Sequence, residues 1–276
     1  MLEAVVKYAF LRNAVISAFL ASIVCGVVGT VIVEKKLVMM SGGISHASFG
    51  GVGLGYLLGF EPMLGALLTA VLSALGLAYV KHNVKTGADT LAGIIWPLGM
   101  SAGILFIYVS PGYPPDLTSY LFGDILTVTS VDLFMIGILN LIVLAVVISY
   151  FQLLKAYLFD KEFGILNGIN AKVADYILYL FIGLSVVVLI RVVGIILVMA
   201  LLTIPSAVAK MFTFKFHRIM IFSALFGMII CIGGLSISYV LNIPSGSVIV
   251  LAGGFLYIVA AFLKKILERK QSIFHK

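Results

Sequence analysis

ADYILYLFIGLSVVVLIRVVGIILVMALLTIP, residues 174–205, is an apolar run broken in its middle by Arg191. As one helix rising 1.5 Å per residue it would be about 48 Å long, well beyond the roughly 30 Å hydrocarbon core of a bilayer. Two spans joined by a turn near Arg191 fit better, with a half-buried break there as the alternative. On that choice rests the count of eight or nine transmembrane helices. The remainder of the chain has the same character. It is 62% hydrophobic and 11% charged, where a soluble domain is about half apolar and a quarter charged. Further apolar runs fall at roughly 13–33, 37–59, 62–80, 90–109, 128–150, 219–241 and 246–264, and the quoted run divides into 174–190 and 193–210. The fold class is therefore an all-α, multi-pass membrane protein, and residues 1–276 form a single transmembrane domain. The first run is too long, and too poorly followed by small residues, to be a removed signal peptide. Cys25 and Cys231 both sit in apolar runs, which signals neither a disulfide framework nor a cysteine metal site.

Lysine and arginine set the orientation. Counted over nine spans, Lys35, Lys36, Lys81, Lys85, Lys155, Lys161, Lys172, Lys210, Lys215, Arg218 and the basic tail from Lys264 to Lys276 all fall on one side. That side is predicted to be cytoplasmic. The opposite loops, FEP at 60–62, SPGYPPDLTSYLFGD at 110–124 and NIPSG at 242–246, carry no Lys or Arg. On that count Lys7 and Arg12 precede the first span on the outer side and break the pattern, a conflict that an interfacial N-terminal helix or a miscounted span would remove. The net charge of +7 is mostly this inward bias, so no nucleic-acid partner is read from it.

MMSGGISHASFGGVGLGYLLG, residues 39–59, holds one histidine among glycines. Entering from Lys36, His46 lies about 15 Å along a helix axis, close to the membrane midplane. An ionisable group there is costly and points to function. Gly43, Ala47, Gly51, Gly55 and Gly59 recur every four residues and predict a small-residue seam for close helix packing. Gly42, His46 and Gly50 form the adjacent row, so the imidazole borders that seam. The plain structural alternative is a neutral histidine bonded to a carbonyl of the next helix.

VVGTVIVEKKLVMMSGGISHASFGGVGLG (27–55) resembles the permeases of manganese/zinc/iron-type ATP-binding cassette (ABC) importers, whose second-helix motif reads approximately G-D-A-L-S-H-A-x-L-P-G-V. The resemblance continues in DTLAGIIWPLGMSAGILFI (89–107), TSYLFGDILTV (118–128), LFDKEFGILNGIN (158–170), VVGIILVMALLTIPSAVAK (192–210) and LSISYVLNIPSGSVIVLAGG (235–254). It implies a type II-like ABC importer permease with His46 at a metal site on the translocation path. An aspartate one turn before that histidine belongs to the family pattern, and here the position is Gly42. Three readings stay open. Two symmetry-related His46 side chains serve with Ser45, Ser48, water or backbone oxygens; a different partner permease supplies the acid; or this protein binds less tightly or prefers another ion. No cofactor is held permanently; the ligand is the cargo, zinc or manganese.

No G-x-x-x-x-G-K-[ST] phosphate loop is present, so ATP hydrolysis is expected in a separate cytoplasmic subunit. YLFDKEFGILNGINAK (157–172) is the candidate cytoplasmic coupling loop. By resemblance Phe159, Asp160, Glu162, Phe163 and Gly164 match the family's coupling helix, which docks in a groove of that subunit. An ordinary interfacial loop is the alternative. Asp89 reads as an acid at a helix N-terminus, Pro205 as a kink or helix end, and Arg191 as a snorkelling turn residue. Asp116 and Asp124 are external acids, either solvated or facing a delivery protein. His82, His217 and His275 sit beside basic residues at membrane edges and are poor ligand candidates. No nucleophile–base constellation is legible, which predicts a transport subunit and not an enzyme. The expected partners are an ATP-binding subunit, an extracytoplasmic metal-binding protein, a second permease copy or paralogue, and the lipid of a prokaryotic plasma (inner) membrane. The alternatives are a permease for haem, cobalamin or siderophore cargo, a secondary transporter without an ATPase, and a membrane scaffold or sensor.

Overall fold

The computed structural model describes residues 6–84, 87–111, 117–159 and 170–274. They form α1 (Ala9–Glu34), α2 (Val38–Leu58), α3 (Pro62–Asn83), α4 (Ala88–Val109), a short α5 (Leu117–Phe122), a 3-10 turn (Ile125–Thr127), α6 (Ser130–Ser149), α7 (Phe151–Phe159), α8 (Ala171–Val193), α9 (Ile195–Phe212), α10 (Phe216–Leu241) and α11 (Ser245–Phe274). No strand occurs among the described residues. A bilayer imposes this outcome, because a backbone crossing hydrocarbon must satisfy its own N–H and C=O groups.

Eight of these helices are long and apolar enough to cross a membrane: α1, α3, α4, α6, α8, α9, α10 and α11. α2 has span length, 21 residues, but is diluted by serine and glycine. It nevertheless runs from the Lys35 end of the bundle to the Glu61 end. Every residue from Met40 to Gly53 is buried, enclosed chiefly by α3 and α4, with α8, α9 and α1 completing the sheath. A helix that meets protein on all sides needs no lipid-compatible surface. α1 is the other enclosed helix, packed on α10, α9 and α6.

The run at 174–205 is two helices, and the break falls three residues after Arg191. Gly194 has φ +82°, a left-handed conformation that a side chain would strain. A Cβ there would also lie 2.3 Å from the backbone nitrogen of Gly123, so the corner is pressed against the chain after α5. Pro205 neither ends α9 nor stops it short of Phe212. A capping box starts α6: Asp132 accepts from the Thr129 backbone at 3.0 Å, and the Thr129 hydroxyl accepts from the Asp132 backbone at 3.3 Å.

Charged side chains gather at the two ends. At the lysine-rich end, Lys210 pairs with Glu34 at 2.9 Å, and Lys35 donates to the Tyr157 carbonyl at 2.7 Å while lying over its ring. At the opposite end Arg191 pairs with Asp132 at 2.5 Å and approaches Glu61 at 3.7 Å. Asn13 donates to the Val128 carbonyl at 3.2 Å, which keeps the start of α1, and with it Arg12, at the Arg191 end, away from the lysine-rich end.

Candidate functional site

α2 presents His46 from inside the bundle, with 7% of its surface exposed. Its ring stacks on Trp96 of α4, with centroids 4.1 Å apart and planes 12° from parallel. Nδ1 is buried and has no hydrogen-bond partner among the described residues. A buried, unsatisfied polar atom usually costs about 1–3 kcal/mol, so a structure that retains one offers a free ligand atom. The predicted carbonyl partner on the next helix is not found at Nδ1.

One turn earlier, the place of the family's carboxylate is filled. A Cβ at Gly42 would lie 2.9 Å from Met199 Cε of α9 and 3.0 Å from Trp96 Cζ3. The Ser45 hydroxyl donates to the Ser41 carbonyl at 2.8 Å and lies 3.7 Å from Met199 Sδ; Ser48 donates to the Ile44 carbonyl at 2.8 Å. Both serines are engaged with their own helix, and each keeps oxygen lone pairs. The immediate surroundings of His46 are thus one free imidazole nitrogen, a thioether and an indole face. Among the described residues no group of three His, Cys, Asp or Glu side chains surrounds a metal-sized space. Trp96 and Met199 were invisible as site residues in the sequence, although Trp96 is the chain's single tryptophan and lies in a block resembling the family.

The small-residue row faces two helices in turn. Gly43 lies against Ala92 and Ala47 against Gly99 of α4, whereas Gly51 meets Gly65 and Gly55 meets Pro62 of α3. A four-residue step advances about 400° around a helix of 3.6 residues per turn, so each member sits some 40° beyond the last. Gly59 is a correction. It is the C-cap of α2 at φ +73° with nothing within 4 Å of a Cβ, and serves to end the helix and not to pack it.

Phe159 closes α7 and packs edge-on against Phe216 of α10, with ring centroids 5.7 Å apart. Asp160, Glu162, Phe163 and Gly164 lie outside the described residues, as do Asp116 and His275. Asp124 is more than a solvated acid: it caps the 3-10 turn through Leu126 N at 3.0 Å and accepts from Ser245 at 3.0 Å, tying this turn to α11.

A cluster at the lysine-rich end was also missed. Asp175 of α8 is 1% exposed, with Lys81 Nζ 2.9 Å away and His82 Nε2 3.0 Å away on α3. The Tyr157 hydroxyl of α7 donates to the same carboxylate. Burial, then the neighbouring carboxylate, pushes the Tyr157 phenol well above its ordinary value, so it stays a donor. This cluster locks α3, α7 and α8 together.

The ABC 3 transport family matches residues 7–264. The chain is 33% identical over 260 residues to the manganese transport system membrane protein MntC of Halalkalibacterium halodurans, covering 94% of this chain and 89% of that protein. It is 33% identical over 257 residues to the manganese import system permease protein ScaB of Streptococcus parasanguinis, covering 93% and 91%. A solved structure of PsaBC from Streptococcus pneumoniae in complex with Fab superposes with a TM-score of 0.86 at 30% identity, covering 98% of both chains.

Proposed function

The chain belongs to the ABC 3 transport family, and from that premise we propose how it handles its cargo. The protein is the membrane-spanning permease subunit of a metal-type ABC importer and is not itself an enzyme. ATPase and substrate-binding partners follow from that class. Our reading pairs two permease copies in a prokaryotic plasma membrane, docks an ATP-binding subunit on 157–172 inside, and receives the ion from a metal-binding protein outside.

The observation that carries the path is the unpartnered Nδ1 of His46, buried at mid-helix in the most enclosed helix of the bundle. A hydrated ion must exchange water for protein donors on entering low-dielectric surroundings, and a neutral imidazole nitrogen is such a donor. Ser45, Ser48 and backbone oxygens at Gly42 are the further oxygen donors of the shell. A self-sufficient proton-coupled carrier is disfavoured because the acids of the described helices stand at the two ends, Asp132 with Arg191 and Asp175 with Lys81, and form no relay. The packing of Trp96 and Met199 around α2 also suits a bare ion better than haem, cobalamin or a siderophore.

For the ion itself the local chemistry favours zinc. The relatives' names say manganese, but manganese prefers oxygen ligands and stands lower in the divalent affinity order, whereas imidazole suits zinc. Gly42 removes the carboxylate, and Met199 brings a soft sulfur to its place. The test is ATPase stimulation of the reconstituted complex scanned over zinc, manganese and ferrous iron. Strongest stimulation by zinc is expected. Stimulation by manganese alone would overturn the zinc assignment, and no response to any of the three would overturn the metal cargo.

A further inference from the structure

At the lysine-rich end, away from α2, a cavity of about 360 Å³ opens between α7 and the start of α10. Its walls are aromatic and cationic: Phe151, Phe159, Phe214 and Phe216 with Lys155, Lys215 and His217. Lys155 and Lys215 are exposed, and neither has a carboxylate partner among the described residues, in contrast to Lys81 and Lys210 at the same end. Lys215 is also the N-cap of α10, a 26-residue helix with no side-chain cap and no acid in its first turn. The positive end of a long helix dipole therefore adds to the lysines.

The surface beyond this cavity is continuous with it. His217, Ile221, Leu225 and Ile229 follow at four-residue steps on α10, one row along the helix. Ile221, Leu225 and Ile229 are 57%, 47% and 60% exposed, an apolar stripe that begins where the cavity ends. Phe214, 82% exposed, stands beside Lys215 in the short connection between α9 and α10 at the same end of the bundle. An acidic protein surface would match the charges but would leave this stripe without a role.

We propose that the cavity binds the phosphate-bearing headgroup of an anionic phospholipid of the cytoplasmic leaflet, whose acyl chains lie along Ile221, Leu225 and Ile229. Lys155 and Lys215 neutralise the phosphate, the α10 N-terminus faces it, and Phe214 covers the glycerol backbone. Anionic lipids are drawn to basic groups near the headgroups, and two lysines without a carboxylate partner among the described residues, beside a helix N-terminus with no side-chain cap, form a more favourable position than the exposed basic tail.

The experiment uses the full chain in nanodiscs containing phosphatidylcholine and phosphatidylglycerol in equal amounts, with retained lipid read by native mass spectrometry. The wild-type protein is expected to retain phosphatidylglycerol over phosphatidylcholine by about tenfold. The double variant K155Q/K215Q is expected to lose that preference, while K264Q/K265Q, outside the cavity, keeps it. Equal retention of the two lipids by the wild type would overturn the proposal whatever the variants do. Displacement of the lipid by millimolar inorganic phosphate would overturn it in favour of a free-anion site. A rise in phosphatidylglycerol retention in D160N/E162Q would instead assign the cavity to the chain's own acids.

Discussion

Gly51→Ala adds a single methyl group where α2 and α3 touch backbone to backbone. The new Cβ would lie 2.1 Å from the Gly65 carbonyl oxygen and 2.3 Å from Thr69 Oγ1. To reach ordinary contact the helices must part by about 1.3 Å. The obstacle is helix backbone, which cannot rotate aside as a side-chain tip can. Overpacking of this kind costs about 1–3 kcal/mol, and a rigid neighbour places Gly51→Ala near 3 kcal/mol. Gly137 of α6 is the control, because a Cβ there meets nothing within 4 Å. Gly137→Ala removes only glycine's helix penalty and should stabilise by roughly 0.5–1 kcal/mol. Equilibrium unfolding in mixed micelles of rising dodecyl sulfate content measures both. Trp96, the sole tryptophan, reports through its fluorescence because it stacks on His46 of α2. Stability of Gly51→Ala within 0.5 kcal/mol of wild type would show that α2 and α3 do not meet along this seam.

Three further outcomes follow from particular contacts. Asp175→Asn removes the buried carboxylate that Lys81, His82 and Tyr157 share; a loss of about 3 kcal/mol is expected in the same unfolding assay, and wild-type stability would mean the cluster is inert. Phe163→Asp or Glu162→Arg should uncouple ATP hydrolysis from uptake or dissociate the ATPase, and wild-type uptake by Phe163→Asp would rule out docking through 157–172. Gly42→Asp restores a carboxylate one turn from His46 once Met199 Cε yields; uptake assays should show manganese gaining on zinc, and an unchanged ratio would mean position 42 does not face the ion.

The spans were legible because hydrocarbon thickness dictates their length: the predicted 90–109 is observed as Ala88–Val109, and 62–80 as Pro62–Asn83. The turn near Arg191 was legible as a length conflict, yet its executor is Gly194, whose left-handed backbone is not marked by apolarity. α2 illustrates both limits. Its glycine row indicated close packing, but a fixed four-residue step cannot say where the helix stops, so Gly59 was read as seam and is a cap. Nor can local spacing reveal what another helix brings, and Trp96, Met199 and the Lys81–Asp175 pair are contacts across 50 to more than 150 residues of chain. Asp124 was ambiguous for the same reason, since its partner Ser245 starts the last helix.

The account stands most directly on the imidazole of His46. Metal uptake should be measured in proteoliposomes containing the permease, its ATPase and its binding protein, comparing wild type with His46→Ala. Alanine fits a helix already lined by Gly43, Ala47 and Gly50, so the variant should fold and assemble normally. Loss of zinc and manganese uptake with the complex intact is the predicted result. Undiminished uptake by His46→Ala would contradict it and return the histidine to a packing role against Trp96.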